Sequence, residues 1–203
     1  MAQLITVNGK YSNKNVVSNT IRYITRTRPD EDRRNELIVC GSPNVTCIPD
    51  EEEIFRAIKE FMDIQHFYHD VVNGRRVFHE TFNLLHEESE YFYTRGQINA
   101  LALECSRIYD RQGFQVVYAA HYSAKYRLHI HFIVNAVSYC DGKKYHSDYK
   151  DHAERNAEFN EILFRHIENN KRWMNVIGCY YPNLNYPLFY PNIVIGGLAA
   201  YGQ

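Results

Sequence analysis

Two histidines in a short apolar segment are the residues with the clearest potential for chemistry. Successive side chains of a β-strand point to opposite faces, so His129 and His131 project together, roughly 7 Å apart at their base. The intervening positions are wholly apolar, with Ile130, Phe132 and Val134 on the other face. The sequence therefore predicts a strand that turns its apolar side to helices and its histidines to an open side.

A third histidine closes the preceding predicted strand, Phe114–His121. The connection to the next strand, Leu128–Val137, is too short for a helical crossover, so the two strands are predicted to be antiparallel neighbours. His121 then lies close to the histidine pair. A single strand histidine is usually structural, but three converging imidazoles can hold a divalent cation and leave positions for water or substrate. The pattern favours a catalytic type of metal site.

A further predicted strand, Val77–Leu84, places another histidine on the same face. Phe78 and Phe82 mark its core face, so His79 falls on the open side with the metal ligands. Regular alternation turns Glu80 away from that side. His79 is therefore a candidate neighbour of the metal site.

These strands are interleaved with segments of helical periodicity, which indicates an α+β fold. We expect a central, mainly antiparallel sheet with helices packed on one face and the metal site on the open face. Residues 1–170 are predicted to form the functional domain. Residues 171–203 form an apolar extension rich in Tyr and Pro, packed on or beside that domain. The predicted helices are Asn15–Thr27, the segment after Asp50, the segment after Thr94 and Asp148–Asn169.

The composition narrows the class of protein. The chain has 203 residues and a formal charge of −1, which excludes a uniformly basic nucleic-acid coat but allows a local basic groove. Its five cysteines are irregularly spaced, which is typical of reduced thiols in a cytoplasmic protein. The N-terminus lacks the features of a signal peptide, and no apolar run is long enough for a membrane span.

Three blocks of the sequence resemble the motifs of relaxases, the mobilisation nucleases of conjugative plasmids and integrative elements. The segment His121–Asn135, with its continuation VSYCDGKKYH to His146, is similar to the third motif of these histidine-hydrophobe-histidine endonucleases. Ile21–Arg26 resembles the first motif and Arg76–Phe82 the second. The motifs occur in the order of the family and span most of the compact domain.

The resemblance implies a mechanism and its participants. Tyr23 is the expected nucleophile, with Tyr11 as its main competitor, and the product is a 5′-phosphotyrosyl enzyme. His121, His129 and His131 would hold the metal, expected to be Mn²⁺ or Mg²⁺. His79 or Glu80 is the candidate base. The implied partners are single-stranded DNA at an origin of transfer, accessory relaxosome proteins and a coupling protein, without membrane insertion.

Basic side chains cluster at all three blocks, which favours a path for DNA phosphates beside the metal. Arginines also surround the expected nucleophile, and aromatic rings among them could stack unpaired bases. The candidate DNA-binding residues are Arg22, Arg26, Arg28, Arg76, Lys125, Arg127, Asn135, Lys143 and Lys144.

The sequence departs from the relaxase pattern in one respect, and three other classes of protein remain as alternatives. Relaxases carry an acid soon after the first histidine of the third motif, whereas here that stretch is Tyr122–Arg127. A rolling-circle replication initiator shares the histidine pair and a tyrosine, but typically places the tyrosine after the histidines. A histidine-metal oxygenase would need a carboxylate ligand at suitable spacing. A non-catalytic DNA-binding module with structural histidines would bind DNA without cutting it.

Overall fold

A computed structural model describes residues 1–29, 32–46, 51–68, 74–123 and 127–180, with side chains through residue 175. The elements occur in the order β1 (Gln3–Thr6), α1 (Val16–Ile24), a 3-10 turn (Arg34–Glu36), β2 (Leu37–Gly41), α2 (Glu51–Tyr68), β3 (Val77–Asn83), α3 (His86–Ser89), α4 (Arg95–Arg111), β4 (Phe114–Ser123), β5 (Arg127–Ser138) and α5 (Tyr149–Tyr180). This mixture of strands and helices confirms the predicted α+β class.

The sheet has five strands in the order β1-β3-β5-β4-β2, and every neighbouring pair is antiparallel. β5 lies at the centre, between β3 and β4. His121 of β4 pairs with His129 of β5, as expected from the short connection between these strands. On the other side of β5, Thr81 of β3 pairs with His131. The register therefore places residues of β3, β4 and β5 next to one another at the histidines.

One face of the sheet carries the larger hydrophobic core, covered by α4 and α5. Phe132 of β5 is fully buried there, with its ring centroid 5.8 Å from that of Tyr109 in α4 and 5.3 Å from that of Phe159 in α5. Burial of one such aromatic side chain contributes about 1.5–3 kcal/mol. This packing fixes which face of β5 is turned inward, and the histidines consequently lie on the opposite face.

The histidine-bearing face is less open than the strand pattern suggested. Beside the histidines this face also carries apolar residues, and Val117 and Ile133 are buried there in a second core under α1 and α2. Ile21 and Ile24 of α1 and Phe61 of α2 are fully buried in this second core. Helices therefore pack on both faces of the sheet, because the histidine face also has apolar surface to remove from water.

The boundaries of α4 follow from local signals in the sequence. Thr94 caps the helix, because its side-chain oxygen accepts a hydrogen bond from the backbone N–H of Gln97. The side-chain oxygen of Gln97 in turn accepts a hydrogen bond from the backbone N–H of Thr94. This reciprocal arrangement is a capping box, and it begins the helix that the sequence predicts after Thr94. Gly113 follows the helix with φ of +82°, a conformation that glycine adopts without steric cost.

α5 runs through the predicted domain boundary at residue 170 and continues to Tyr180. The first residues of the predicted extension are thus helical, and Trp173 stacks on Tyr93 with ring centroids 6.3 Å apart. The rest of that extension, residues 181–203, lies outside the described residues. Within the described ranges, no helix combines the length and the apolar character that crossing a bilayer requires, α5 included.

A buried charge network joins β3 to α4 and α5 on the core face. Glu80 is fully buried and accepts hydrogen bonds from Tyr109 Oη at 2.5 Å and from Arg155 Nη2 at 3.0 Å. Arg155 is itself almost fully buried and also donates to Ser147 Oγ. The network satisfies a carboxylate and a guanidinium that would be costly to bury alone.

We expect Arg155→Met to lower the free energy of unfolding by about 3 kcal/mol, because it leaves the Glu80 charge buried without its cation. Urea denaturation followed by circular dichroism measures this change. Arg111→Met is the matched control, since Arg111 pairs with Glu158 at the exposed surface and its loss should cost under about 1 kcal/mol. Equal losses in the two variants would contradict a stabilising role for the buried network.

Candidate metal site

The three predicted ligands converge where β4 ends and β5 begins. One ring nitrogen each of His121, His129 and His131 lies within 4.8 Å of the other two. The ring centroid of His131 is 4.7 Å from that of His121 and 5.1 Å from that of His129. All three histidines are buried. The predicted histidine cluster is therefore confirmed, in a setting that is mostly closed to solvent.

Hydrogen bonds to the backbone orient the rings of two of the histidines. His121 Nε2 lies 2.6 Å from the carbonyl oxygen of Ile24, so this nitrogen carries the proton and Nδ1 keeps a lone pair. His129 Nδ1 lies 3.1 Å from the carbonyl oxygen of Arg127, so Nδ1 carries the proton and Nε2 is the nitrogen with the lone pair. The backbone partners thereby fix ring orientation, as outer partners of metal ligands commonly do.

The third ligand is held by another histidine. His131 Nδ1 lies 2.9 Å from His79 Nε2, and His79 Nδ1 lies 3.1 Å from the hydroxyl oxygen of Tyr11. Metal binding through His131 Nε2 requires its Nδ1–H to donate to His79. The structure thus brings His79 to the site, as predicted, and gives it the place of an orienting partner.

Burial keeps these imidazoles in the neutral form that binds metals. Desolvation is the main cause in each case: it lowers the pKa of His121 to about 3 and that of His79 to about 4. The pKa of His131 is lowered well below its usual value, and that of His129 is also lowered, by the same cause. At neutral pH the lone pairs are therefore not blocked by protons.

The donor set fits a divalent cation. Three neutral imidazoles can bind one metal ion and leave its other coordination positions for water or substrate oxygens. Imidazole nitrogen suits several transition metals, so the donor set alone does not choose among them.

The expected nucleophile lies beside this cluster. The ring centroid of Tyr23 is 6.2 Å from that of His131 and 6.3 Å from that of His79. Two guanidinium groups flank the Tyr23 ring, Arg26 at 5.1 Å and Arg28 at 4.8 Å from its centroid. The C-terminal end of α1 therefore brings a tyrosine and two cations to the histidine face.

Two predicted site residues lie elsewhere. Glu80 is on the opposite face of the sheet, bound to Tyr109 and Arg155, so it is removed from the candidate bases. Asn135 was a candidate for DNA contact, but it is fully buried and its amide bonds to Gln65 and Gln115. Its role in the structure is to tie β5 to α2 and β4.

Only some of the predicted basic residues lie near Tyr23. Arg22 and Arg28 line a cleft beside Tyr23, together with Arg33. Lys143 and Lys144 do not approach the histidines. Lys144 pairs with Val137, which lies six residues along β5 from His131, a separation of roughly 20 Å at the rise of a strand.

Two further candidates, Arg76 and Arg127, lie where strands β3 and β5 begin. The backbone N–H of Arg76 donates to the Tyr11 carbonyl at 2.7 Å, just before β3. Arg127 begins β5 with φ of +54°, and its Nη1 lies 3.4 Å from the Tyr122 hydroxyl. Lys125 lies outside the described residues.

Sequence reasoning missed one acidic residue at the site. Glu36 lies in the 3-10 turn before β2, and its Oε2 is 2.9 Å from Arg26 Nη2. The same guanidinium reaches His121 Nδ1 at 3.3 Å. The stretch after His121 in sequence lacks the acid of the third motif, whereas this carboxylate comes from a charged turn. Nothing in the local pattern of that turn distinguishes Glu36 from a solvated surface acid.

An antiparallel sheet that carries a buried histidine triad beside a tyrosine and arginines defines an α+β domain with a site that could hold a metal ion. The sequence matches the family model for the MobA/VirD2-like relaxase nuclease domain over residues 23–166. This match covers well over half of the chain, so the chain belongs to the MobA/VirD2-like relaxase family. A comparison with curated proteins finds no match. The family implies an enzyme that binds and nicks DNA.

We expect His129→Ala to weaken Mn²⁺ binding by more than about 100-fold, because loss of even an outer partner of a ligand costs 10- to 100-fold. Isothermal titration calorimetry of the purified protein measures the affinity. His166→Ala is the control, since His166 is a partly buried histidine outside the triad, hydrogen-bonded at 2.8 Å to Glu104 on the α4–α5 side. Equal affinities in wild type and His129→Ala would rule out the triad as the metal site.

Proposed function

We propose that this domain cuts and rejoins one strand of DNA at an origin of transfer, through a 5′-phosphotyrosyl intermediate, for conjugative mobilisation. The observation that carries the proposal is the position of Tyr23, whose ring lies about equally far from His131 and His79, at 6.2 and 6.3 Å. The family match begins at Tyr23 and contains the whole triad. Tyr11, the competing tyrosine, precedes the matched segment.

In the proposed reaction, the Tyr23 hydroxyl oxygen attacks the scissile phosphorus. An O–P bond to the tyrosine forms and the P–O3′ bond breaks. The tyrosine hydroxyl gives up its proton and the 3′-oxygen takes one up to leave as a free hydroxyl, so no net proton is gained or lost. The number of phosphodiester bonds is unchanged, so the reverse attack by a 3′-hydroxyl can rejoin the strand without ATP. A metal held by the triad would neutralise charge that builds up on the nonbridging oxygens.

Hydrogen bonds distinguish the two tyrosines near the site. The Tyr11 hydroxyl is 3.1 Å from His79 Nδ1, and burial raises the pKa of Tyr11, which disfavours its phenolate. Among the described residues, no hydrogen bond engages the Tyr23 hydroxyl. Tyr23 is thus the better placed of the two for attack, while Tyr11 orients His79. Of the two predicted bases, His79 alone lies on this face. Because its Nε2 accepts from His131 Nδ1–H when His131 binds a metal, His79 can take the tyrosine proton only by giving up that bond.

The cleft beside Tyr23 offers a path for the DNA strand. It is lined by Arg22, Arg28 and Arg33, with Asp32 among them. Guanidinium groups bind phosphate oxygens in a bidentate manner, so this lining suits the backbone of a single strand next to the nucleophile. The cleft is the proposed DNA-binding surface, in place of the distant lysines at 143 and 144.

The test is covalent capture of DNA. Labelled single-stranded oligonucleotides that tile the transfer origin of the parent element are incubated with Mn²⁺ or with EDTA, then run on a denaturing gel. We expect an adduct with Mn²⁺ that EDTA abolishes. Tyr23→Phe should remove it because the attacking oxygen is gone, and Tyr11→Phe should slow adduct formation but retain it.

Other outcomes separate the alternatives. An adduct that survives in Tyr23→Phe and disappears in Tyr11→Phe would keep the relaxase function and move the nucleophile to Tyr11. Binding of the oligonucleotides, measured by fluorescence anisotropy, without an adduct under any metal would instead support a non-catalytic DNA-binding module.

A further inference from the structure

Arg26 occupies a backbone position where glycine or asparagine is normally found. α1 ends at Ile24, Thr25 caps it, and Arg26 follows with φ of +54°. The N–H of Thr27 donates to the carbonyl of Arg22 at 3.1 Å, the long-range bond of a Schellman motif. A residue with a Cβ is strained in this left-handed conformation. Such an outlier calls for a function of its side chain.

The side chain of Arg26 reaches the metal site. It is almost fully buried, and its Nη2 lies 3.3 Å from His121 Nδ1 and 2.9 Å from Glu36 Oε2. Its guanidinium carbon also lies 5.1 Å from the centroid of the Tyr23 ring. The Arg26 guanidinium thus contacts the proposed metal ligand His121, the Glu36 carboxylate and the face of the Tyr23 ring.

The contact with His121 conflicts with metal binding. Because His121 Nε2 is bonded to the Ile24 carbonyl, Nδ1 is the nitrogen left for a metal, and Arg26 donates to that same lone pair. A guanidinium and a divalent cation cannot both use one lone pair, and their like charges repel strongly in a buried site. The Arg26 charge also contributes, after burial, to the lowered pKa of His121.

We propose that Arg26 is a built-in cation that occupies His121 Nδ1 until a divalent metal displaces its guanidinium, which stays bound to Glu36. This inference rests on the proposed metal site and adds a competitor to it. Glu36 is suited to hold the displaced group because its ion pair with Arg26 does not involve His121. The affinity of the site for a divalent metal is therefore lower than that of the same three histidines without Arg26.

The test compares the Mn²⁺ affinity of wild type, Arg26→Asn, Arg26→Lys and Arg34→Asn by isothermal titration calorimetry without DNA. Asparagine tolerates the left-handed conformation, so Arg26→Asn removes the charge and keeps the backbone. We expect it to bind Mn²⁺ at least about tenfold more tightly, since the like charge is gone. Arg26→Lys keeps the charge and should stay within about threefold of wild type.

Arg34→Asn is the matched control, because Arg34 is exposed and lies in the same 3-10 turn as Glu36. Its affinity should equal that of wild type. Thermal melts by circular dichroism establish that each variant is folded. If wild type binds Mn²⁺ and Arg26→Asn binds it equally or more weakly, the competitor role is overturned while the metal site stands. If no folded variant binds a divalent metal, both proposals fail.

Discussion

The antiparallel register of β4 with β5 is the constraint on which the site depends. It sets His121 directly across from His129, and strand alternation then carries His131 to the same face. A slip by one residue would turn the histidines into the larger core and move Phe132 to the face that now carries the histidines. That slip is opposed by the packing of Phe132 against Tyr109 and Phe159, so the core on one side of the sheet enforces the geometry of the chemistry on the other.

Burial of polar rings has a cost, and the fold offsets it with specific partners. The Ile24 carbonyl accepts a hydrogen bond from His121 Nε2–H, and the Arg127 carbonyl accepts one from His129 Nδ1–H. His79 Nε2 is the hydrogen-bond partner of His131 Nδ1. These bonds satisfy rings that would otherwise lose hydration without replacement. The helix α1 has two functions as a result, since its apolar stripe covers the second core and its C-terminal end supplies both a ring partner and the proposed nucleophile.

The parts of the site that could be predicted are those set by local periodicity. Alternation within one strand placed His129 with His131, and the short connection between strands brought His121 to them. Positions fixed by loops and by distant pairing could not be derived in the same way. Glu36 reaches the site from a charged turn, and Lys144 lies away from it because it pairs with Val137 at the far end of β5. Clustering of basic residues in sequence therefore overstated how many of them surround the metal.

The N-terminal strand is held in place by the last described helix. The Leu4 N–H donates to Asn156 Oδ1 at 2.8 Å, and Asn160 Nδ2 donates to the Ala2 carbonyl at 3.1 Å. Contacts between such distant parts of a chain require closure of a long loop, which slows folding. During synthesis, β1 can form these hydrogen bonds only after α5 has left the ribosome. A truncated product that lacks α5 still contains Tyr23 and the histidines, but its edge strand β1 lacks these two hydrogen bonds. Full attachment of β1 to the domain therefore requires synthesis of nearly the whole described chain.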